Sequence, residues 1–148
     1  MIVVEHAPTL CRSGSIVFND TITENKMKLA KLFLLKSNTI TNSDTPYSDD
    51  EKELIRIAMW ASEPSPFDPM EIELHNEYKH SRLKDERPYF KITYEYPLAG
   101  IPPMMTHVFS NKNGERIIAA EGAPETIMRV SDLSATEKSE IEVALKTM

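Results

Sequence analysis

The chain has 148 residues, of which 41% are hydrophobic and 27% charged, so it is long enough for one globular domain with a real core. Its formal net charge of −6 argues against nucleic acid as a partner, because neutralising phosphates requires a basic face. The single cysteine, Cys11, excludes an internal disulfide. No apolar run approaches the roughly 20 residues that span a bilayer, so the sequence predicts no direct membrane insertion.

The first third of the chain gives few secondary-structure signals. Within residues 1–19, Ile2-Val3-Val4 fits a short strand. Lys26 to Leu35 mixes apolar and basic residues and predicts a strand that enters the domain. The stretch from Ser37 to Tyr47 is polar and is predicted to be a loop.

Two helix starts follow. The capping box Ser48-Asp49-Asp50-Glu51 predicts a helix to about Ser62, with Trp60 on its flank. The predicted buried face of this helix carries Leu54, Ile57, Ala58 and Ala61. Asp68-Pro69-Met70-Glu71 combines a side-chain cap, proline at the first helical position and an acid in the first turn, which predicts a helix to about Leu83.

Three antiparallel strands are predicted between Pro88 and Gly122. The first alternates apolar and polar side chains, which predicts one half-buried face. That face carries Phe90, Ile92, Tyr94, Tyr96 and Leu98. Met104 to Ser110 forms the second strand, Asn113-Gly114 supplies the positive φ angles of a tight hairpin, and Glu115 to Glu121 returns as the third.

The third strand runs into a helix through a turn of small residues. Gly122 allows a close turn, Pro124 suits a first helical position and Glu125 favours a helix N-terminus. A last capping box, Ser134-Ala135-Thr136-Glu137, opens a helix whose apolar stripe carries Ile141, Ala144, Leu145 and Met148. The predicted fold class is therefore α+β, an antiparallel β-sheet flanked by helices.

Four groups of residues occur in an order and spacing that fit one protein family. They are Thr21-Ile22-Thr23-Glu24-Asn25, then Phe67-Asp68-Pro69-Met70-Glu71, then Tyr96-Pro97-Leu98 with Met104-Met105-Thr106-His107-Val108, and finally Ala119-Ala120-Glu121-Gly122-Ala123-Pro124-Glu125. Together they resemble the nucleotide-binding domain of cation-transporting P-type ATPases, in the bacterial, calcium-pump-like branch. That family carries Thr-Leu-Thr-Glu-Asn, Asp-Pro-x-Glu, Phe-Pro-Phe-like, Met-Ser-Val-like and Lys-Gly-Ala-Pro-Glu motifs in this order.

The resemblance implies a division of the chain and a place in the cell. Residues 1–20 would be an N-terminal remnant of the junction with the phosphorylation domain, and residues 21–148 the nucleotide-binding domain. The domain would lie at the cytoplasmic face of the membrane, as an excised or degenerate piece of a pump. Its partners would be ATP and the pump's phosphorylation and membrane domains, with Thr23 and Asn25 at the hinge to the neighbouring domain.

The resemblance also implies an ATP site, which would take Mg-ATP in the parent enzyme. The implied nucleotide-binding residues are Glu71, Tyr96, Leu98, Met105, Glu121, Gly122 and Ala123. Leu98 takes the position of the aromatic ring that stacks on adenine, for which Tyr96 would substitute. Pro103 and Glu121 replace two lysines of the family. A carboxylate at Glu121 would repel a phosphate by about 1 kcal/mol at 4 Å in water, or about 4 at an effective dielectric constant of 20. We therefore expect weak binding, led by base and ribose contacts.

Structural explanations compete with this assignment. Tyr94 and Tyr96 on an apolar strand face are core residues by default. An acid at Glu71 is explained as a helix-capping residue, and Gly122 and Pro124 by turn chemistry.

No catalytic residue is predicted. The family's phosphorylated aspartate precedes the Thr-Leu-Thr-Glu-Asn motif by four residues, and Val17 stands at that position here. Without a carboxylate there, the chain lacks the nucleophile that attacks the γ-phosphate, so the isolated chain is expected not to hydrolyse ATP.

Two other functions compete with this assignment. One is a degenerate pump-derived domain that binds no nucleotide and acts as an interaction module. The other, a free-standing phosphohydrolase, is disfavoured because its aspartate motif is absent. No metal site is predicted, because His75 and His80 are spaced by five on a helix and so lie on different faces.

Overall fold

The computed structural model describes the backbone of residues 2–7, 10–21, 26–43, 46–81 and 84–148, and the side chains in these ranges from Met27 onward. Seven strands form an antiparallel sheet in the order β4-β3-β2-β1-β7-β6-β5. The strands are β1 (Ile2–Ala7), β2 (Leu10–Thr21), β3 (Lys26–Leu34), β4 (Thr39–Asn42), β5 (Phe90–Tyr96), β6 (Met104–Asn111) and β7 (Arg116–Gly122). The helices are α1 (Asp49–Ala61), α2 (Pro69–His80), α3 (Pro124–Val130) and α4 (Ala135–Thr147), and a short 3-10 turn covers Arg87–Tyr89.

Helices cover both faces of the sheet. Ala119 packs with α1 and α2, whereas Ala120 packs with α3 and α4. Because neighbouring residues of a strand point to opposite faces, the two helix pairs lie on opposite sides of β7. The predicted α+β class, an antiparallel sheet flanked by helices, is confirmed.

The N-terminal strands lie in the middle of the sheet. β1 pairs with β2 on one side and with β7 on the other, where Ile2 is the register partner of Gly122. The segments predicted as junction remnant and nucleotide-binding domain therefore share one sheet. Thr23 and Asn25, assigned to a family hinge, lie outside the described residues.

Part of the stretch predicted as a loop is a strand. β4 pairs with β3, with Phe33 opposite Ile40. Asn38 in the connecting turn has a φ of 49°, a left-handed conformation that asparagine tolerates better than most residues. The polar composition of residues 37–47 concealed this short strand, because a strand at the edge of a sheet needs little apolar surface.

Helix α1 begins with the predicted capping box. Glu51 N–H donates to Ser48 Oγ at 3.3 Å, and Ser48 N–H donates to Glu51 Oε2 at 2.6 Å. The predicted face is buried, but the placement of Trp60 on the flank is wrong, because its ring is buried between Phe90 and Phe109 with edge-on centroid distances of 5.0 and 4.7 Å. The second half of α1 is enclosed by both the sheet and α2 and so has no exposed flank.

Helix α2 starts where the sequence predicts. Asp68 caps it by accepting a hydrogen bond from Met70 N–H at 2.8 Å, and Pro69 occupies its first turn. The helix ends at His80, earlier than predicted, and the predicted end at Leu83 lies outside the described residues.

Strand β5 contains a bulge, and the side chains after it lie on the faces opposite to those that the sequence predicts. Ile92 pairs with Phe109, but Tyr94 pairs with Val108, so Thr93 is an extra residue. Residues beyond the bulge exchange faces: Glu95, opposite His107, joins the face that packs on α1 and α2, while Tyr96 turns to the other face. The prediction that Tyr94 and Tyr96 share a buried face with Phe90 is therefore wrong.

The β6–β7 hairpin uses one positive φ angle rather than two. In this hairpin, whose residues are all described, Gly114 has a positive φ of 82°, whereas the φ of Asn113 is not positive. Asn111 completes the turn, since its Oδ1 accepts from Asn113 N–H at 2.9 Å and from Glu115 N–H at 3.0 Å. An Asx turn followed by glycine thus replaces the predicted turn.

The second helix pair closes the opposite face. Glu137 and Ser134 form the predicted capping box of α4, whose Ile141 and Ala144 are buried with Phe33, Ala120 and Ile127. Within the described ranges, no helix is long and apolar enough to cross a membrane.

Candidate functional site

Acidic side chains converge on a buried histidine where α1 ends and α2 begins. On the sheet, Glu95 pairs with His107, and Met105 pairs with Glu121, all on the face beneath α1 and α2. From the helices come Glu63, directly after the C-cap of α1, and Glu71, in the first turn of α2. We call this group of Glu63, Glu71, Glu95, His107 and Glu121 the acidic cluster.

His107 lies at the centre of the cluster. Its side chain is 0% exposed, and neither ring nitrogen has a hydrogen-bond partner in the described part of the chain. Its Nε2 lies 3.8 Å from Glu95 Oε2 and 4.0 Å from Glu63 Oε1. Leaving a buried polar group without a hydrogen bond costs about 1–3 kcal/mol, so the unpaired ring of His107 lowers the stability of the fold.

Glu71 ties the two helices together. Its Oε1 accepts a hydrogen bond from the backbone N–H of Glu63 at 2.8 Å, and its side chain is buried. Burial raises the pKa of Glu71, and the nearby carboxylates of Glu63 and Asp68 add to the rise, against the hydrogen bond from Glu63 N–H. Glu71 lies in the first turn of its own helix, as the sequence predicts, and its carboxylate also holds the chain that leaves α1.

Glu121 is the most perturbed acid of the cluster. It is 8% exposed, and its Oε2 has no hydrogen-bond partner among the described residues. Burial, followed by the nearby carboxylate of Glu71, raises the pKa of Glu121 to about 8. At pH 7 only about one molecule in ten then carries an ionised Glu121. The repulsion of phosphate expected from the sequence applies to a fully ionised carboxylate. Because Glu121 is mostly protonated at pH 7, it repels a phosphate less than that.

The structure brings together some of the residues predicted for a nucleotide site and separates others. Glu71, Met105 and Glu121 meet on one face, with Gly122 next in the chain and Ala123 as the N-cap of α3. A Cβ built on Gly122 would lie 3.0 Å from Met104 Cβ, so the glycine is required by close strand packing.

The two residues expected to stack on adenine lie apart from this group. Tyr96 is 54% exposed on the opposite face of β5, and Leu98 is 59% exposed in the following loop. Tyr94 and Tyr96 contact each other, with ring centroids 4.5 Å apart, and Tyr94 is also exposed. The default interpretation of these tyrosines as core residues is therefore wrong.

The sequence analysis missed Glu63, Glu95 and His107. For His107 a signal existed, because it alternates with Met105 and Phe109 on an apolar strand face where a histidine is unusual. Glu95 looked like a solvent-facing residue, and Glu63 looked like part of a loop. Their convergence depends on the bulge in β5 and on the end of α1.

His75 and His80, the two histidines discussed in the sequence analysis, do not belong to the acidic cluster. His75 Nε2 lies 3.0 Å from Ser62 Oγ, and burial lowers the pKa of His75. His80 is exposed in the last turn of α2.

A separate cavity of about 670 Å³ lies between α1, α4 and the end of β3. Its lining combines apolar side chains with charged ones, namely Leu34, Leu35, Leu54, Ile57 and Leu133 with Lys36, Asp50, Glu53, Asp132, Glu137 and Glu140. None of the predicted nucleotide-binding residues lines it. This cavity therefore does not replace the acidic cluster as the candidate site.

No family model matches this chain, and no curated protein or solved structure matches it with significance.

Proposed function

We propose that this chain binds adenosine nucleotides as the ATP-binding domain of a cation-transporting P-type ATPase. In that role it would present the γ-phosphate of Mg-ATP to an aspartate of another domain of the pump, at the cytoplasmic face of the membrane. The basis is the resemblance of the four groups of residues, in order, to the motifs of that family.

One structural observation carries the proposal. Met105 and Glu121 pair on the sheet face beneath α2, and Glu71 of α2 lies near Glu121, beside the turn at Gly122 and Ala123. Met105 offers a half-buried apolar surface for a base, Glu71 an acceptor for an amino group, and the turn a stretch of small residues. These are the chemical requirements of an adenosine pocket.

The electrostatics predict how the nucleotide binds. A protonated Glu121 can donate a hydrogen bond to a phosphate oxygen but supplies no positive charge. Glu63 and Asp68 nearby raise the negative potential further. Binding is therefore dominated by adenosine, and the triphosphate adds little affinity. Hydrolysis by the isolated chain is not part of the proposal, because Val17 stands where the family has its nucleophile.

The test is a titration of the isotope-labelled chain with ATP and, separately, with adenosine, followed by backbone amide shifts. Saturable shifts clustered at Glu71, Met105, Gly122 and Ala123 are the expected result. Glu121→Lys should then tighten ATP much more than adenosine. Glu142→Lys, on an exposed position of α4, introduces the same lysine away from the candidate site and serves as the control. The absence of shifts at millimolar ligand would refute the proposal.

A second candidate, an interaction module without nucleotide binding, is favoured by the edge of the sheet. β5 has no strand partner on its outer side in the described sheet, and the tyrosines that it exposes are followed by Leu98 and Ile101, also exposed. An edge strand with apolar side chains is suited to pairing with another chain. This candidate gains support if nucleotides cause no shifts while β5 amides broaden with protein concentration and Tyr96→Lys abolishes the broadening.

A further inference from the structure

We propose that Glu63, Glu95 and His107 bind a divalent transition-metal ion such as Zn²⁺. These three residues each offer one ligand atom, and the three atoms lie within 4.8 Å of one another. The inference does not depend on nucleotide binding, because it is built from residues outside the predicted nucleotide site.

The geometry is close to that of a metal site. Ligand atoms of a tetrahedral zinc ion, each about 2.0–2.2 Å from the metal, lie about 3.4 Å apart. The distances from His107 Nε2 to Glu95 Oε2 and Glu63 Oε1 are 3.8 and 4.0 Å. Each carboxylate therefore has to approach the ring nitrogen by about half an ångström, and the two carboxylate atoms, which lie within 4.8 Å of each other, have to close to about the same spacing. Both carboxylates lie near the same ring nitrogen, so a single ion placed between the three atoms would contact all of them.

The buried imidazole is the observation that distinguishes this site from an ordinary acidic surface. His107 is completely buried, and its Nε2 faces two carboxylates without a hydrogen bond from the described residues. A neutral imidazole presents a lone pair to a metal, and a metal bond would satisfy this nitrogen. Two carboxylates then balance the charge of a dication, which lowers the cost of placing the ion beside a buried ring.

Exposure of the carboxylates leaves a route for the ion. The side chains of Glu63 and Glu95 are 33% and 44% exposed, so the site opens to solvent on the side away from His107. Three protein ligands with an open side leave a coordination position for water. Glu71 acts as a positioning residue, because its hydrogen bond to Glu63 N–H fixes the backbone of one ligand.

The ligand set favours a transition metal over Mg²⁺ or Ca²⁺. Those two ions prefer sites built entirely from oxygen ligands, whereas imidazole nitrogen suits Zn²⁺ and its neighbours. Zn²⁺ is the appropriate probe because it accepts a mixed nitrogen and oxygen set in tetrahedral geometry.

The experiment is a calorimetric titration of the full chain with Zn²⁺, with Mg²⁺ in parallel. We expect one Zn²⁺ per chain, no comparable binding of Mg²⁺, and a rise in Tm of about 5 °C or more at a hundredfold excess over Kd. The ¹⁵N resonance of His107 Nε2 should shift on Zn²⁺ addition, a signature that general stabilisation does not produce.

Variants locate the ion. Glu95→Gln and Glu63→Gln replace partly exposed ligands with groups of similar size, and each should weaken Zn²⁺ binding by about tenfold or more. His80→Gln and Cys11→Ser serve as controls, because an exposed imidazole and a thiol are side chains that can bind Zn²⁺ elsewhere in the chain, and both variants should bind Zn²⁺ as the wild type does.

Three results would overturn the proposal. They are no saturable binding of one Zn²⁺ per chain; unchanged affinity in both glutamine variants; or loss of binding in His80→Gln or Cys11→Ser. The first result would leave His107 and its two glutamates as neighbours in the fold without a metal-binding role.

Discussion

Glu121→Gln is expected to stabilise the protein strongly at pH 8 and by less than about 1 kcal/mol at pH 5. In the unfolded chain this carboxyl ionises near its ordinary pKa of 4.5, whereas burial and the Glu71 carboxylate raise the folded-state pKa to about 8. Between these values the unfolded state binds fewer protons than the folded state, so stability falls as pH rises. Below 4.5 both states are protonated and the penalty is absent, and above 8 it reaches its maximum.

The size of the effect follows from the two pKa values. Each unit of difference is worth 1.36 kcal/mol, so the penalty is less than about 1 kcal/mol at pH 5, about 3 at pH 7 and about 4 at pH 8. Glutamine has nearly the same shape and does not ionise, so Glu121→Gln removes the penalty. The variant should gain these amounts in free energy of unfolding relative to the wild type.

Urea unfolding followed by fluorescence measures this gain, since Trp60 is the only tryptophan of the chain and is buried. The solutions should contain a chelator, so that metal binding does not contribute. Glu142→Gln, on an exposed face of α4, is the matched control and should stay within about 0.5 kcal/mol of wild type at every pH. A difference between Glu121→Gln and wild type that is equal at pH 5 and pH 8 would refute the reasoning. A ¹³C titration of the Glu121 carboxyl with a midpoint near 4.5 would also refute it.

The remaining predictions concern the free energy of unfolding and are measured by the same urea unfolding method. Phe109→Ala should cost about 3–5 kcal/mol, because it leaves a cavity against Trp60; a loss below 1 kcal/mol would contradict the packing. Ser48→Ala should cost about 1 kcal/mol through the lost cap of α1, whereas Ser37→Ala, in a turn, should cost clearly less. Gly114→Ala should cost about 1–2 kcal/mol, because φ is 82° there, and Gly114→Asn should recover part of the loss; an equal loss in both variants would point to another cause.

Local chemistry explains what the sequence predicted correctly. The capping boxes at Ser48 and Ser134 depend on residues three apart, and both form with the expected hydrogen bonds. The starts of α2 and α3 likewise follow from Asp68 and Pro124. Signals of this kind need no knowledge of the rest of the fold, which is why they identified all four helices of the described chain.

Errors arose where pairing between distant strands decides the outcome. A strict alternation in β5 predicted a common face for Tyr94 and Phe90, but the bulge at Thr93 appears only when β5 is aligned with β6. The central position of β1 likewise depends on its pairing with β7. Neither feature leaves a pattern in its own segment of the sequence.

The candidate site was predicted only in part for the same reason. Glu71 was singled out by its motif, yet its actual partner, Glu63 N–H, belongs to the end of another helix. His107 carried a visible anomaly, a histidine among apolar residues, but the carboxylates that face it come from a loop and from the far side of the bulge. A site assembled from separate elements is visible in sequence only where each residue already stands out.

The acidic cluster has to limit the cost of several carboxylates near a buried ring, and its residues do so in different ways. Glu121 keeps a proton, since burial raises its pKa to about 8. Glu71 is held by a backbone N–H, which offsets part of its desolvation. Glu63 and Glu95 instead face His107 at 4.0 and 3.8 Å, where a bound cation would balance both charges and satisfy the imidazole. The same balance bears on a nucleotide: a triphosphate beside four glutamates meets less repulsion when one is protonated and two are neutralised by a metal ion. The two proposals for this face are thus compatible, because a bound dication cancels the charges of Glu63 and Glu95 that would otherwise repel a triphosphate.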